Sequence, residues 1–596
     1  MLDITHNLQT AASAAIQELY GQEVPPGGIP VQETRKDFEG DFTLVVFPLS
    51  RYRLGKPPEV AEAIGKALKE SHPHVCDFNV VKGFLNLTLE DNFWREFLAR
   101  YQKSDEVLFR TEGAGTTAVV EYCSPNTNKP LHLGHLRNIF LGYSLTEILK
   151  ANGYETHPVC LYNDRGTAIC KSMYAWEQQN RQDTPESTGK KGDVFVGDYY
   201  VEYAQMHRKE VEQMMATGAT EEVAEKSVPT TTGINEMLVK WENEDEEVRR
   251  LWQKMNAYVY EAHRKTFERL GIRFEKYYYE SDLYKEGKDI VEDGLKAGHF
   301  YQKEDGSVWV NLEAAGMDDK LLLRSNGTSL YITQDLATAE HKEKDFELQR
   351  SIYVVGNEQN HHFKVLFEVL KMLGKSYASN LFHLSYGIVE LPDGRMKSRE
   401  GTVVEADDLV EEVRSAVEVA TSELGKIEGL EEAELEKLYD TLALGAIKFF
   451  LLKVDPKKGM VFDPEESLDL KGHTGPFVQY SYARMRGIER KAGDIAPFTI
   501  DTQAEESLHE TERALLQRIF QYPNVLKDAA DNYSPALIAN YVYELAKDYN
   551  RFHRSCKVIQ SDMPGTSSQR LALSSFAGRV IQAAMTLLGI SVPDRM

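Results

Sequence analysis

The stretch from residue 118 to residue 151 constrains this chain more than any other. It opens with the apolar, β-branched run Ala118-Val119-Val120, the pattern of a buried strand in a parallel sheet. The loop EYCSPNTNKPLHLGHLRN follows at 121–138, and from 139 to 151 apolar residues recur at helical spacing. Strand, loop and helix in that order place polar groups at the carboxyl end of a sheet, against a helix N-terminus that favours anions. Within the loop, His132-Leu133-Gly134-His135 joins a glycine that lets a phosphate or an adenine approach the backbone to two imidazoles able to donate to developing charge. Alone, these four residues favour a bland helix start with two surface histidines; the strand before, the helix after and a second motif reverse that balance. About 260 residues later comes Gly394-Arg395-Met396-Lys397-Ser398-Arg399-Glu400-Gly401. A glycine-bounded loop of Lys, Arg and Ser is suited to closing over a triphosphate and neutralising the pyrophosphate as it leaves.

At 596 residues the chain exceeds one hydrophobic core, and three to four domains are expected. No apolar run approaches bilayer length, and the first twenty residues alternate as a helix without the basic start of a signal peptide. The five cysteines are odd in number and lack C-x-x-C spacing, which argues against a disulfide framework or a zinc site and fits a reducing cytoplasm. Cys123 reads as a small apolar residue beside the strand, since nothing places a base to activate it. The formal charge of −24, from 69 basic and 93 acidic residues, excludes a protein that coats nucleic acid indiscriminately. It leaves room for a local basic face.

Taken in order, the chain reads as multidomain α/β. Residues 1–110 form an α/β unit: a first helix, a strand over 40–47, the basic loop Arg51-Tyr52-Arg53-Leu54-Gly55-Lys56, a helix over 58–70 and an alternating strand over 83–89. Residues 111–430 alternate strands and helices, hence a Rossmann-type doubly wound parallel sheet, with strands expected at 156–161, 307–312, 351–355 and 384–391. The polar stretch around 181–247 reads as an insertion whose helices pack over the site. Residues 431–596 turn helical throughout, a C-terminal bundle. There, Gln479-Tyr480-Ser481-Tyr482-Ala483-Arg484 and Arg486, then Lys547, Arg551 and Arg554 among Tyr and Phe, interleave cations with aromatic rings, as base stacking and phosphate contact require.

The two loop motifs together resemble the HIGH and KMSKS signatures of class I aminoacyl-tRNA synthetases. S-P-N-x-x-K-P-x-H-x-G-H-L-R and G-R-M-K-S-R-E-G resemble the arginyl-tRNA synthetase family in particular, and the resemblance runs to the ending L-L-G-I-x-V-P-D-R-M. It implies that arginine attacks the α-phosphate of Mg-ATP, with no protein-bound metal. A ribose hydroxyl of the terminal adenosine of tRNA(Arg), the 2′-OH, then takes the arginyl group, and activation waits for bound tRNA. His132, His135, Lys129, Arg395 and Lys397 are the implied catalytic residues. ATP would lie along Pro125, Asn126, Thr127, Asn128, Lys129, Pro130, Leu131, His132, Leu133, Gly134 and His135, with Met396, Lys397 and Ser398 from the basic loop. Arginine, a planar five-donor cation, needs carboxylates and no competing lysine. The resemblance points to Asp335 and Tyr331 for the guanidinium, Glu121 and Asn126 for the ammonium and carboxylate end, and Gln359 in support.

In the first unit, Arg51, Arg53 and Lys56 are expected to contact tRNA or to be a solvated loop. In the last, Gln479, Tyr480, Arg484, Arg486, Lys547, Arg551 and Arg554 are expected to contact it. Asn163-Asp164-Arg165 serves either structure or the tRNA end. His361-His362 receives no metal, because adjacent histidines diverge. One departure from the class pattern is Ser398, where a second lysine is usual; Lys129 is the residue expected to compensate. A monomer and a cytoplasmic location complete the expectation. A small-molecule nucleotidyltransferase, a binding-only paralogue and a synthetase for another amino acid are the competing readings.

Overall fold

The computed structural model of the chain describes residues 3–35, 37–179, 182–325, 327–328, 330–392, 404–424, 430–493 and 500–596. The basic loop with Arg395, Met396, Lys397 and Ser398 therefore lies outside the described residues.

The first unit runs α1 (Ile4–Tyr20), β1 (Val31–Glu33), β2 (Phe42–Val45), α2 (Pro57–Ser71), β3 (Val75–Val81), β4 (Phe84–Leu89) and α3 (Asp91–Tyr101). Its sheet is antiparallel in the order β1-β2-β4-β3. Helix α2 begins on Pro57 and Pro58, whose missing N–H groups cost nothing in a first helical turn.

The central unit opens with β5 (Thr117–Glu121), α4 (Leu133–Ala151), β6 (Glu155–Tyr162) and α5 (Thr167–Gln178). Helices α6 (Pro185–Thr188), α7 (Gly192–Ala216), α8 (Glu221–Ser227), α9 (Pro229–Glu242) and α10 (Glu246–Leu270) come next. The chain then returns through β7 (Lys276–Tyr279), α11 (Glu280–Lys296), β8 (Tyr301–Gln302), β9 (Val308–Val310), β10 (Lys320–Leu323), α12 (Tyr331–Phe346), β11 (Arg350–Gly356), α13 (Asn360–Met372), β12 (Leu381–Tyr386) and β13 (Val389–Glu390). The five-stranded sheet is wholly parallel, in the order β12-β11-β5-β6-β7. The chain winds outward from β5 to β7, then restarts at β11 on the other side of β5. The reversal leaves a crevice at the carboxyl ends of β5 and β11, the usual ligand position in such sheets.

Two strand expectations need correction. The run 307–312 does not join the parallel sheet; its β9 is the middle of a small antiparallel sheet, β10-β9-β8. Periodicity reports a pleated, half-buried segment but not its partners, and hairpin neighbours on both sides claim this one. The run 384–391 is two strands rather than one. It breaks at Gly387, where an added Cβ would lie 2.4 Å from the backbone nitrogen of Gly459, and β13 pairs instead with β14 (Met460–Val461).

The chain continues with α14 (Ala406–Leu424) and α15 (Glu432–Leu452) before β14, then α16 (Pro464–Ser467), α17 (Gly475–Ala492), α18 (Glu510–Asp531), α19 (Pro535–Ser555) and α20 (Pro564–Leu587). Helix α4 is buried along most of its length, because the sheet covers one side and the C-terminal helices the other. The first unit docks on α18 through Phe42, Phe93, Trp94 and Phe97 around Phe520, at ring-centroid distances of 5.3–6.4 Å.

Arg137 pins the crevice wall. It is fully buried on α4, and its guanidinium donates to the carbonyls of Gly387 (2.8 Å) and Lys458 (2.8 Å), at the start of the β13–β14 pairing. Arg137→Met would orphan these carbonyls, and a loss of about 3 kcal/mol is expected, read as a lower midpoint in urea unfolding.

Candidate active site

A cavity of about 690 Å³ occupies the crevice. Glu121 from the end of β5, Asn126 from the following loop, Tyr331 and Asp335 from α12, and Gln359 after β11 all line it, together with His132, Gly134 and His135. The structure thus gathers the five amino-acid candidates and the two histidines into one space. Tyr331 and Asp335 share a helix face four residues apart. Asp335 is engaged by a residue that sequence reasoning left without a role: the His362 ring nitrogen Nε2 lies 2.5 Å from its carboxylate. The two are 27 residues apart on α12 and α13, a relation no local pattern carries.

The two motif histidines build the start of α4. His132 is the N-cap, its Nδ1 accepting from the Gly134 backbone N–H at 3.2 Å, while His135 Nδ1 accepts from the His132 N–H at 3.1 Å. A ring nitrogen that accepts carries no proton, so in each neutral ring the proton sits on Nε2. Both rings are therefore neutral donors. Burial, with Lys129 adding to it, pushes His132 down to about 4, and burial beside His132 and Lys129 holds His135 well below the usual histidine range.

This has a consequence for stability. His132 and His263, the latter lowered to about 3 by burial and Lys191, stay neutral in the folded chain but gain protons near pH 6.5 once unfolded. Between those values the unfolded state holds more protons, so stability rises with pH there. The melting temperature is expected to fall as pH drops from 6.5 towards 4, and scanning calorimetry over that window checks it.

Lys129 does not line the amino-acid cavity. It borders a second one of about 530 Å³, shared with His132, Pro130, Leu131, Glu405 and residues of α7. Burial lowers the Lys129 ammonium from its ordinary value. Helix α7 meets this loop closely: a Cβ on Gly197 would lie 2.9 Å from Pro130 Cδ. Leu131 and Leu133 are core residues, and so are Thr127 and Asn128 in their burial. The backbones of the two leucines pair with the segment that leaves the basic loop, Ala406 N–H to Leu131 O at 2.8 Å and Leu133 N–H to Val404 O at 3.4 Å. Lys191 ties the same segment to the inserted helices, its Nζ 2.5 Å from Asp407, 2.6 Å from Thr266 Oγ1 and 3.1 Å from Asp193.

Within Asn163-Asp164-Arg165, Asn163 lines the amino-acid cavity, while Asp164 and Arg165 are tied to neighbouring elements. Asp164 accepts from Tyr260 OH (2.7 Å) and from Ser281 N–H (2.9 Å) and Oγ–H (2.7 Å), and Arg165 pairs with Glu242.

In the C-terminal helices one expectation fails. Gln479 is fully buried, and its amide donates to the carbonyls of Thr441 (3.0 Å) and Ser591 (2.8 Å), locking the chain end onto α17. It cannot touch an external ligand. Tyr480 is exposed, with the Arg484 guanidinium 4.8 Å from its ring centroid, and both line a surface cavity with Arg490, Lys491 and His553. Arg486 pairs with Glu489 and Asp594, Lys547 with Glu544, and Arg554 donates to the Asn550 carbonyl, while Arg551 is largely exposed. In the first unit Arg51 lies over Tyr52, Arg53 takes a left-handed backbone conformation at φ 55°, and Lys56 is exposed beside Glu59.

Among the described residues no three His, Cys, Asp or Glu side chains converge as a metal site, and no helix is long and apolar enough to cross a membrane.

Three family models match the chain: "Arginyl tRNA synthetase N terminal domain" over residues 6–89, "tRNA synthetases class I (R), catalytic domain" over 102–463 and "DALR anticodon binding domain" over 478–596. Similar proteins include the arginine–tRNA ligase of Bacteroides thetaiotaomicron, 47% identical with all of both chains covered, and that of Porphyromonas gingivalis, 45% identical with the same coverage. In fold the chain is similar to the arginyl-tRNA synthetase of Thermus thermophilus, with a TM-score of 0.75 at 24% identity over 99% of each chain. It is also similar to that of Plasmodium falciparum, with a TM-score of 0.76 at 20% identity over 100% of this chain and 99% of that one.

Proposed function

The chain belongs to the arginyl-tRNA synthetase family, and on that premise we propose how its residues divide the work of an arginine–tRNA ligase. Such an enzyme uses ATP to activate arginine and passes the arginyl group to tRNA. Supporting the reading is one observation above others: the amino-acid candidates and both neutral histidines border a single cavity at the switch point of the sheet. Asp335 and Tyr331 hold the guanidinium, Glu121 and Asn126 the α-amino and carboxylate end, and Gln359 assists. The Nε2 protons of His132 and His135 stabilise charge on the α-phosphate as the arginine carboxylate attacks and pyrophosphate leaves. Positioning and charge neutralisation carry such a step without a covalent enzyme intermediate.

ATP enters with magnesium carried on its phosphates. Lys129, Arg395, Met396, Lys397 and Ser398 form the phosphate side. The tRNA(Arg) lies along Arg51, Arg53 and Lys56 at one end and Tyr480, Arg484, Arg486, Lys547, Arg551 and Arg554 at the other. The working divisions are 1–110, 111–430 with the insertion at 181–247, and 431–596. The enzyme acts as a cytoplasmic monomer, and activation waits for tRNA.

ATP–pyrophosphate exchange with arginine, run with and without total tRNA, tests this. Exchange only when tRNA is present supports both the substrate and the tRNA requirement. Exchange without tRNA removes the requirement, and no exchange in either arm overturns the arginine assignment or points to a binding-only paralogue. If Lys129 covers for Ser398, Lys129→Ala should lower exchange about 10²-fold and Ser398→Lys in that background should restore part of it. Absence of any rescue counts against the compensation.

A further inference from the structure

Behind the wall of arginine's cavity lies a buried ion pair: Glu121 lines the cavity, and its partner Lys342, which the division of roles above leaves unused, sits beneath it. Lys342 lies on α12, seven residues beyond Asp335, so the helix presents Tyr331, Asp335 and Lys342 along one face. Its side chain is 0% exposed, and its Nζ lies 2.9 Å from Glu121 Oε2, on a side chain 5% exposed. The ammonium also sits 3.6 Å from the centroid of the Tyr353 ring. That ring is placed by register, because Tyr353 of β11 pairs with Glu121 of β5 in the parallel ladder. Burial works against the charged lysine, yet Glu121 and Tyr353 outweigh it and hold its pKa above the ordinary value.

A cation beside the pocket of a cationic amino acid is a liability unless its charge is already spent. Here it is spent on Glu121. The pair is neutral as a unit, so Asp335, on the same face of α12, keeps its attraction for the distal guanidinium. One oxygen of Glu121 is held by Lys342. Resting on the assignment of Glu121 to the α-ammonium, we propose that Lys342 is a positioning residue that aims the second oxygen of Glu121 at the amino group of arginine, through the buried Lys342–Glu121–Tyr353 contact.

Without the lysine, a buried carboxylate has no counter-charge. It turns to another donor or gives up its charge, and the ammonium loses its partner either way. The test is Lys342→Met in tRNA charging, read as KM and kcat for L-arginine. Alongside it is measured the competitive inhibition constant of 5-guanidinopentanoate, which is arginine without its α-amino group. The expected result is a KM raised about tenfold or more, a kcat within about threefold, and an inhibition constant within about twofold of the parent. A merely structural lysine would move both ligands together or lower only the melting temperature, and either outcome overturns the proposal.

Glu121→Gln and Glu121→Gln/Lys342→Met are run in parallel. The double variant has no buried charge at the pair and guards against a misfolded single variant. It should bind arginine no worse than Glu121→Gln; a further loss of about tenfold overturns the proposal. If Glu121→Gln leaves the arginine KM unchanged, the assignment of Glu121 falls and the proposal with it. If Glu121→Gln weakens arginine selectively and Lys342→Met does not, the proposal alone falls.

Discussion

Asp335→Asn is expected to lower kcat/KM for arginine about 10²- to 10³-fold, nearly all of it through KM. The substitution keeps shape and removes charge. A guanidinium bound to a carboxylate by charge-assisted hydrogen bonds loses the equivalent of about 3–4 kcal/mol when the acceptor becomes a neutral amide, because a buried cation is left half-paired. The structure adds that Asp335 does not stand alone: His362 holds it at 2.5 Å, so the carboxylate is oriented before the substrate arrives. Orientation by His362 makes a second expectation. His362→Ala should weaken arginine less than Asp335→Asn does, since it removes the brace and leaves the charge. Initial-rate charging across arginine concentrations separates KM from kcat. A loss confined to kcat would move Asp335 out of the binding pocket.

His132 should show the opposite split. His132→Ala is expected to cut kcat about 10²- to 10³-fold with little change in arginine KM, the size of effect that follows removal of one donor aimed at transition-state charge. The side chain has two jobs, however. Its Nδ1 caps α4 by accepting from Gly134, so alanine also removes about 1 kcal/mol of helix stabilisation. Asparagine separates them. It caps a helix as well as any residue, but its short amide does not reach where the Nε2 proton of histidine stood. His132→Asn should keep the melting temperature and lose the rate. Because burial keeps His132 at about 4, its neutral donor form prevails above pH 5.5, and this group should impose no acid limb on kcat between pH 6 and 8. An acid limb there that vanishes in His132→Asn would refute the neutral-donor assignment.

How much of this was legible beforehand depends on whether the signal was local. The unit β5–loop–α4 could be read from residues 118–151 because periodicity, a glycine and a helix start are all properties of neighbouring residues. The C-terminal helices were legible for the same reason. The partner of a strand was not. The segment around Trp309 has the composition of a sheet-core strand, and only the hairpin neighbours β8 and β10 placed it in the small antiparallel sheet. Polarity misled at Gln479, since an amide among tyrosines and arginines looks like a contact to nucleic acid. In the fold it satisfies two backbone carbonyls inside the bundle.

By itself the amino-acid order determined the strand–loop–helix unit, its two histidines and glycine, and the residue types at Glu121, Asn126, Tyr331, Asp335 and Gln359. Those are choices made within one turn or one strand, where side-chain spacing dictates the face. Only the tertiary structure decided that His362 braces Asp335, that Lys342 neutralises Glu121, and that Arg137 holds Gly387 against Lys458. Each joins groups between 27 and 321 residues apart. A charge or a donor in the sequence carries no mark of its partner, and it is the cost of burying it unpaired that selects the fold in which the two meet.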